Sequence, residues 1–274
     1  MRRIIFILLL LVLQTLQSTA QNTIVADRVF RANRHNLHFP NISTDYPFVD
    51  LRSSHIIQKA YVDLKQKDDK IAGYKAALTS KKAQARFSAA TPVAGVLFES
   101  GKLHSPDIIK LDDTRNSLIE TEIGYLVDND IIQTIESYNE LGGLITKVYP
   151  VVELPDVGYK DLSKINVIDI ISTNAGSKNY IFGKRHSIEQ IDIDNIKTKL
   201  FHDGKMISSG ISTNVMENQR SALLWLINDI LSRGYEIKSG HILLTGAFGT
   251  INKAQTGIYM GDFGTLGKIY FEIK

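Results

Sequence analysis

Glu120 and Glu122 stand two apart in an alternating segment, Leu118-Ile119-Glu120-Thr121-Glu122-Ile123-Gly124-Tyr125-Leu126-Val127. In a strand, residues two apart share a face and lie about 6–7 Å from each other. Two carboxylates at that distance repel unless water or a cation separates them. A hard divalent cation takes oxygen ligands, so the pair can form part of a metal site. Most such pairs are simply a solvated strand face, and the pair alone does not decide. A third acid, Glu153, interrupts the apolar run Lys147-Val148-Tyr149-Pro150-Val151-Val152-Glu153-Leu154-Pro155. An unpaired buried carboxylate costs several kcal/mol, so Glu153 either faces outward or meets a partner such as a cation. Three carboxylates and water would complete a Mg2+ or Mn2+ site.

The elements that must position these acids follow from periodicity. The first segment after residue 20, Thr23 to Leu37, reads as helical, and Phe39 to Pro47 as a loop broken by Pro40, Asn41 and Pro47. Asp50 to Lys67 reads as a helix, with Val49, Ile56, Ile57, Ala60, Tyr61 and Leu64 at three- and four-residue steps. Short β-like segments follow: Ile71 to Leu78, Val93 to Phe98, Leu118 to Val127, Lys147 to Leu154, Ile165 to Ser172, Ile196 to His202, Lys205 to Ser209, His241 to Thr245 and Lys268 to Ile273. One late helix runs from about Gln219 to Ser232, with Asn218 as its cap and Gly234 beyond its last turn. It is apolar most of the way round, so it should be buried on more than one side, with Trp225 in core packing. Helices first, then many strands and one late buried helix, argue an α+β fold rather than a doubly wound parallel sheet.

Composition bounds the function. Met1-Arg2-Arg3, an apolar run from Ile4 to Leu13, and Ser18-Thr19-Ala20 read as a secretory leader over residues 1–20 with cleavage before Gln21, an uncleaved membrane anchor being the alternative. The apolar run is shorter than the ~20 residues a membrane span needs. The expectation is a periplasmic or secreted protein with a single domain over 21–274 and no membrane contact after cleavage. Without Arg2 and Arg3 the 32 basic residues become 30 against 29 acids. Such a balanced chain carries no electrostatic footprint for nucleic acid. There is no cysteine, which removes disulfides and thiolate chemistry. His35 and His38 stand three apart but lack a third partner for a metal.

Glu120-x-Glu122 followed by Glu153 in a Val-Tyr-Pro-Val-Val-Glu segment resembles the metal triad of the 2-keto-4-pentenoate hydratase and 4-oxalocrotonate decarboxylase family, within the fumarylacetoacetate hydrolase-like superfamily. Gly73-Tyr74-Lys75-Ala76-Ala77-Leu78-Thr79-Ser80 is similar to the family's Gly-Tyr-Lys-x-Gly-Leu-Thr-Ser. Pro92 with Gly95-Val96-Leu97-Phe98, Trp225-Leu226, the run Lys238 to Gly249, and Asp262-Phe263-Gly264-x-Leu266-Gly267 match further family segments in order. The resemblance spans nearly all of 21–274 and implies a mixed β-sheet roll with N-terminal helices and one buried late helix.

The resemblance implies a Mg2+ or Mn2+ ion, held by Glu120, Glu122 and Glu153, that binds the 2-oxygen and carboxylate of a short unsaturated acid such as 2-hydroxypenta-2,4-dienoate. It implies Lys75 as the catalytic group beside the bound acid, with a lowered pKa that suits proton transfer. It also implies Thr79, Ser80, Asn174, Thr245 and Gly246 as substrate-binding groups. The chain departs from the family pattern at Val93, at Thr173 in place of an acid, at Glu217-Asn218-Gln219 and at Thr250. These departures touch the water-adding apparatus more than metal and oxo-acid binding. Two readings follow: a hydratase or decarboxylase, or an exported non-catalytic relative that binds a small carboxylic acid or has a structural role. Hydrolysis of a 1,3-diketone acid would need a His base, and no His–Glu pair is evident. The superfamily tends to form oligomers, and the sequence leaves homo-oligomer formation open.

Overall fold

The computed structural model describes residues 19–274. The leader read from residues 1–20 lies outside these, apart from Thr19 and Ala20, which stand in helix α1 (19–34). Among the described residues, no helix is long and apolar enough to cross a membrane. Val25, Ala26, Val29 and Ala32 recur at three- and four-residue steps, and α1 buries that stripe. A short helix, α2 (Ile42–Asp45), sits inside the expected loop. Helix α3 (Leu51–Lys65) begins where Asp50 accepts a hydrogen bond from Ser53 N at 2.7 Å, and it buries Ile57, Tyr61 and Val62. Helix α4 (Lys81–Arg86) was not evident in the periodicity.

The segment Ile165 to Ser172 corrects a strand expectation. Val167–Ser172 is helix α5. Its β-branched residues imitate a strand, but Asn166 and Asp169 close a reciprocal cap: Asn166 Oδ1 accepts from Ile168 N at 2.8 Å, and Asp169 Oδ2 accepts from Asn166 N at 2.9 Å. Asp169 also takes hydrogen bonds from Ser43 N and Oγ, tying α5 to α2. Helix α6 (Gln219–Ser232) starts at Asn218, which accepts from Ser221 N at 2.8 Å, and ends before Gly234 at φ 73°. It buries Ala222, Leu223, Leu226, Ile227 and Ile230, while Trp225 packs half-buried at its edge.

Fourteen strands complete the described residues: β1 (Ile71–Ala77), β2 (Val93–Phe98), β3 (Lys102–His104), β4 (Asp107–Ile109), β5 (Leu118–Val127), β6 (Ile145–Leu154), β7 (Asn179–Phe182), β8 (His186–Ser187), β9 (Lys197–His202), β10 (Lys205–Ile211), β11 (Ile242–Leu244), β12 (Asn252–Lys253), β13 (Gly257–Asp262) and β14 (Lys268–Ile273). A curled mixed sheet runs β2-β1-β11-β5-β6-β7-β3, with β12 on β5 and β8 on β6. A second sheet runs β10-β9-β13-β14-β4. The main core lies between them and α6: Ile119, Ile123, Tyr125 and Val152 from the curled sheet meet Leu200, Tyr259, Ile269 and Phe271 from the second, with Leu223 and Leu226. The opposite face of the curled sheet carries a separate apolar floor of Ala72, Leu97, Val151, Tyr180, Phe182, Ile242 and Leu244. Strand alternation puts Glu120, Glu122, Glu153 and Lys75 on that second face.

Candidate metal centre and active site

Two neighbouring antiparallel strands supply the acids. Glu120 on β5 pairs in register with Glu153 on β6, and Glu122 pairs with Val151. Cross-strand partners share a face, so Glu120 and Glu153 stand opposite each other with Glu122 one step along. One carboxylate oxygen from each lies within 4.8 Å of the other two. Like charges so placed destabilise a sheet unless something between them compensates. Glu122 and Glu153 are fully buried; Glu120 lies at the rim, half-buried.

Lys75 arrives from β1, three strands from β6 in the sheet order. A flat sheet would hold those backbones about 14 Å apart, with both side chains standing off its face rather than pointing at each other. The curl of the sheet closes the gap, and Lys75 Nζ lies 2.7 Å from Glu153 Oε1. Gly246, just beyond the end of β11, donates its N–H to Glu122 Oε2 at 2.9 Å. Its φ of +114° belongs to glycine, and an added Cβ would stand 2.7 Å from Thr79 Cγ2 and Oγ1. Thr79 therefore packs directly on the turn that fixes Glu122.

The electrostatics are unbalanced. Burial raises the pKa of all three acids. Glu120 is pushed up to about 7 by burial and then by the Glu153 charge. Glu122 is pushed well above the usual carboxylate range by burial, Glu153 and Glu120. For Lys75, burial opposes its charge, but Glu153 and Glu120 more than offset this and hold its pKa above that of an ordinary lysine. The lowered value expected from the sequence assumed a cation alongside; among the carboxylates alone the direction is up. Glu122 Oε1 and Glu153 Oε2 have no hydrogen-bond partner. Three carboxylates against one ammonium, with buried oxygens left over, leave a deficit of two positive charges. A divalent cation fits that deficit, and all-oxygen donors suit a hard ion such as Mg2+ or Mn2+ over zinc.

No family model matches the chain. Over 256 residues it is 25% identical to 2-oxo-hept-4-ene-1,7-dioate hydratase of Escherichia coli, covering 90% of this chain and 96% of that protein. Over 226 residues it is 26% identical to 2-keto-4-pentenoate hydratase of Paraburkholderia phymatum, covering 81% and 86%. The chain is thus similar, at about a quarter identity, to proteins named as hydratases over most of its length. Its fold is that of 4-oxalocrotonate decarboxylase from Pseudomonas putida G7, solved with magnesium and adipate: TM-score 0.87 at 21% identity over 93% of this chain and 98% of that one. The α+β, fumarylacetoacetate hydrolase-like architecture expected from the sequence is therefore the observed one.

The other residues named from the sequence take these places, with Asn174 O and Lys75 Cγ both packed against Gly95 of β2. Ser80 is exposed and caps α4, accepting from Ala83 N at 3.2 Å. Thr245 Oγ1 donates to Gln219 Oε1 at 2.6 Å, toward α6 and away from the carboxylates. Asn174 is buried and clamps β2: it accepts from Val96 N at 2.7 Å, donates to Val96 O at 2.8 Å, and accepts from Gln58. It follows a helix, not the strand expected. Thr173 donates to Asp169 O at 2.9 Å and meets Tyr159 Oη at 2.5 Å, so its hydroxyl is committed. His38 approaches Gly158 O at 3.3 Å beside an open cleft of about 500 Å3, remote from the triad.

Sequence reasoning missed two features. Gln219 is fully buried; it accepts from Thr245 and from Tyr125 Oη at 3.2 Å and donates to Ser212 O at 2.8 Å. A lone amide opening an otherwise apolar helix was the available signal. Leu78 takes φ +54°, a left-handed backbone uncommon for leucine, in the turn that delivers Thr79. Nothing in its side chain announces that.

Proposed function

We propose that this chain is a divalent-metal-dependent lyase that hydrates or decarboxylates a short 2-oxo or 2-hydroxydienoic acid, such as 2-hydroxypenta-2,4-dienoate. The observation that carries this reading is the meeting of Glu120, Glu122 and Glu153 with Lys75, two of whose acids retain unpartnered oxygens in a buried site. Likeness to named hydratases over most of the chain supports it. When bound, the cation supplies Lewis acidity toward the acid's carboxylate and 2-oxygen.

The chain's own groups do the rest. The Gly246 N–H fixes Glu122 Oε2 and leaves Oε1 buried without a hydrogen-bond partner. The Lys75 ammonium, already beside Glu153, faces the acid's negative charge and delivers a proton at Nζ. The committed hydroxyl of Thr173 offers no acid there, so proton traffic falls on Lys75. The apolar floor of Val151, Leu244 and Leu97 suits an unsaturated hydrocarbon segment and keeps water sparse. The intact triad and Lys75 weigh against a non-catalytic carboxylate binder. We further propose that the leader carries the enzyme to the periplasm or beyond; N-terminal sequencing of the exported protein should begin at Gln21.

The deciding experiment follows the ultraviolet signal of 2-hydroxypenta-2,4-dienoate with Mg2+, Mn2+ or EDTA, alongside CO2 release from 4-oxalocrotonate. Metal-dependent consumption that Glu122→Gln abolishes is expected. Tight Mn2+ binding without turnover of either acid would leave only the binding reading, and no Mn2+ binding would remove both.

A further inference from the structure

Strand β2 is an edge of the curled sheet, so one row of its backbone groups has no strand to pair with. Successive residues of an antiparallel strand turn their N–H and C=O to opposite sides. Gly95 pairs with Lys75 of β1, and the flanking Ala94 and Val96 turn theirs outward. Two buried side chains close these groups. Gln58 of α3 donates from Nε2 to Ala94 O at 2.8 Å. Asn174 accepts from Val96 N at 2.7 Å and donates to Val96 O at 2.8 Å. Gln58 Nε2 also donates to Asn174 Oδ1 at 3.2 Å, which joins the two clamps. The Arg233 guanidinium, bonded to Asp229 at 2.8 Å, donates to Gln58 Oε1 at 3.4 Å and fixes which way the amide faces.

The clamped segment is the one on which Lys75 lies. A Cβ added at Gly95 would stand 3.3 Å from Lys75 Cγ, 2.8 Å from Asn174 O and 3.2 Å from Ala175 Cβ. The lysine stem therefore runs over bare backbone at Gly95, walled by the turn Asn174–Gly176. That turn takes φ of 58°, 53° and 64° at three successive residues, and the first two are not glycine. Left-handed backbone at such residues persists only where its surroundings over-determine it. Here the three hydrogen bonds of the Asn174 side chain do so. Closing a sheet edge would need only a matching donor and acceptor; the Gln58–Asn174 bond goes further and ties the edge to the wall. Lysine carries its charge on a flexible four-carbon stem. Its Nζ lies 2.7 Å from Glu153 Oε1 while Glu120 and Glu122 attract it too. The floor at Gly95 and the wall beside it select one of these destinations.

We propose that Gln58 is a positioning residue: through Ala94 and Asn174 it sets the backbone floor and wall that hold the Lys75 stem, and so places Nζ for proton delivery. The role rests on the lyase reading for its chemistry and on the contacts around Gly95 for its geometry. Gln58→Met keeps the side-chain volume and removes both donated hydrogen bonds. With the acid that the wild type consumes, its kcat should fall about 100-fold, as a displacement of about 1 Å at a reacting group allows, while KM and Mn2+ affinity stay within about threefold. Gln58→Glu, which keeps the Arg233 contact and donates nothing when ionised, should do the same. Gly95→Ala, once shown folded by its far-ultraviolet spectrum, should lose kcat to a similar degree. Combined with Gln58→Met it should lose little more than either alone, because both act on one contact. A merely structural Gln58 would lower the melting point and leave kcat per folded molecule unchanged, and that result overturns the proposal, as does full additivity. Crystal structures separate it from the lyase reading: Lys75 Nζ should leave Glu153 in Gln58→Met whether or not either acid is turned over. A wild type that consumes neither acid removes the lyase reading alone, and an unmoved Lys75 in the variant removes the positioning role.

Discussion

Glu153 and Asp156 lie three residues apart where β6 ends, both buried, and their surroundings are opposite. Asp156 has more partners than it needs. It accepts from Asn116 N at 2.8 Å, Arg115 N at 3.2 Å, Arg115 Nε at 2.9 Å and Lys178 Nζ at 3.3 Å. The Arg115 guanidinium stacks 4.0 Å over Phe39. Burial opposes the Asp156 charge, but Arg115, the Asn116 N–H and Lys178 overcome it and hold its pKa below the usual range. Glu153 shares one ammonium with two further acids, and its pKa is pushed up by burial. A saturated buried acid fastens the chain; here Asp156 latches the start of β5 to the end of β6. An undersupplied group of acids holds room for a cation. The first stabilises the fold, and the second draws on that stability.

The largest expected effect divides the two. Glu122→Gln should lower divalent-ion affinity by more than about 100-fold, measured by calorimetry, and abolish metal-dependent turnover. Because it removes a poorly compensated buried charge, the metal-free melting point should rise. Asp156→Asn should do the reverse, costing about 3–5 kcal/mol in denaturant unfolding while leaving metal affinity within a few-fold of wild type. If both variants lose stability alike, the distinction between the clusters fails.

The pH dependence sharpens it further. The folded-state pKa of Asp156 is depressed below 3.8. Its contribution is therefore present above that value and lost as pH falls through the folded-state pKa. The stability gap between wild type and Asp156→Asn should hold steady at neutral pH and narrow below about pH 4. The smallest effect belongs to Thr245→Val, which should cost about 1 kcal/mol through its lost hydrogen bond to Gln219 and leave KM and metal affinity unchanged. A raised KM in that variant would place Thr245 against the substrate, as the family resemblance implied.

Local physics was legible in the sequence. Period-two alternation put Glu120 and Glu122 on one face, and Asn218 and Gly234 bounded α6, because these depend only on a strand's pleat and a helix's ends. The apolar Val167–Ser172 misled because β-branched residues fit either state, and a cap built with Asp169 settled it. Periodicity could name the face of Glu153 but not its opposite number. Register with Glu120 comes from pairing between segments far apart in the chain, and only the folded sheet decides it. The same holds for Lys75, carried over three strands by the sheet's curl, and for Asn174 and Thr245, whose side chains the packed interior had already engaged. The sequence determined which residues could act and which faces they occupied. The tertiary structure decided which of them meet, since a buried polar group takes whatever partner packing brings within reach.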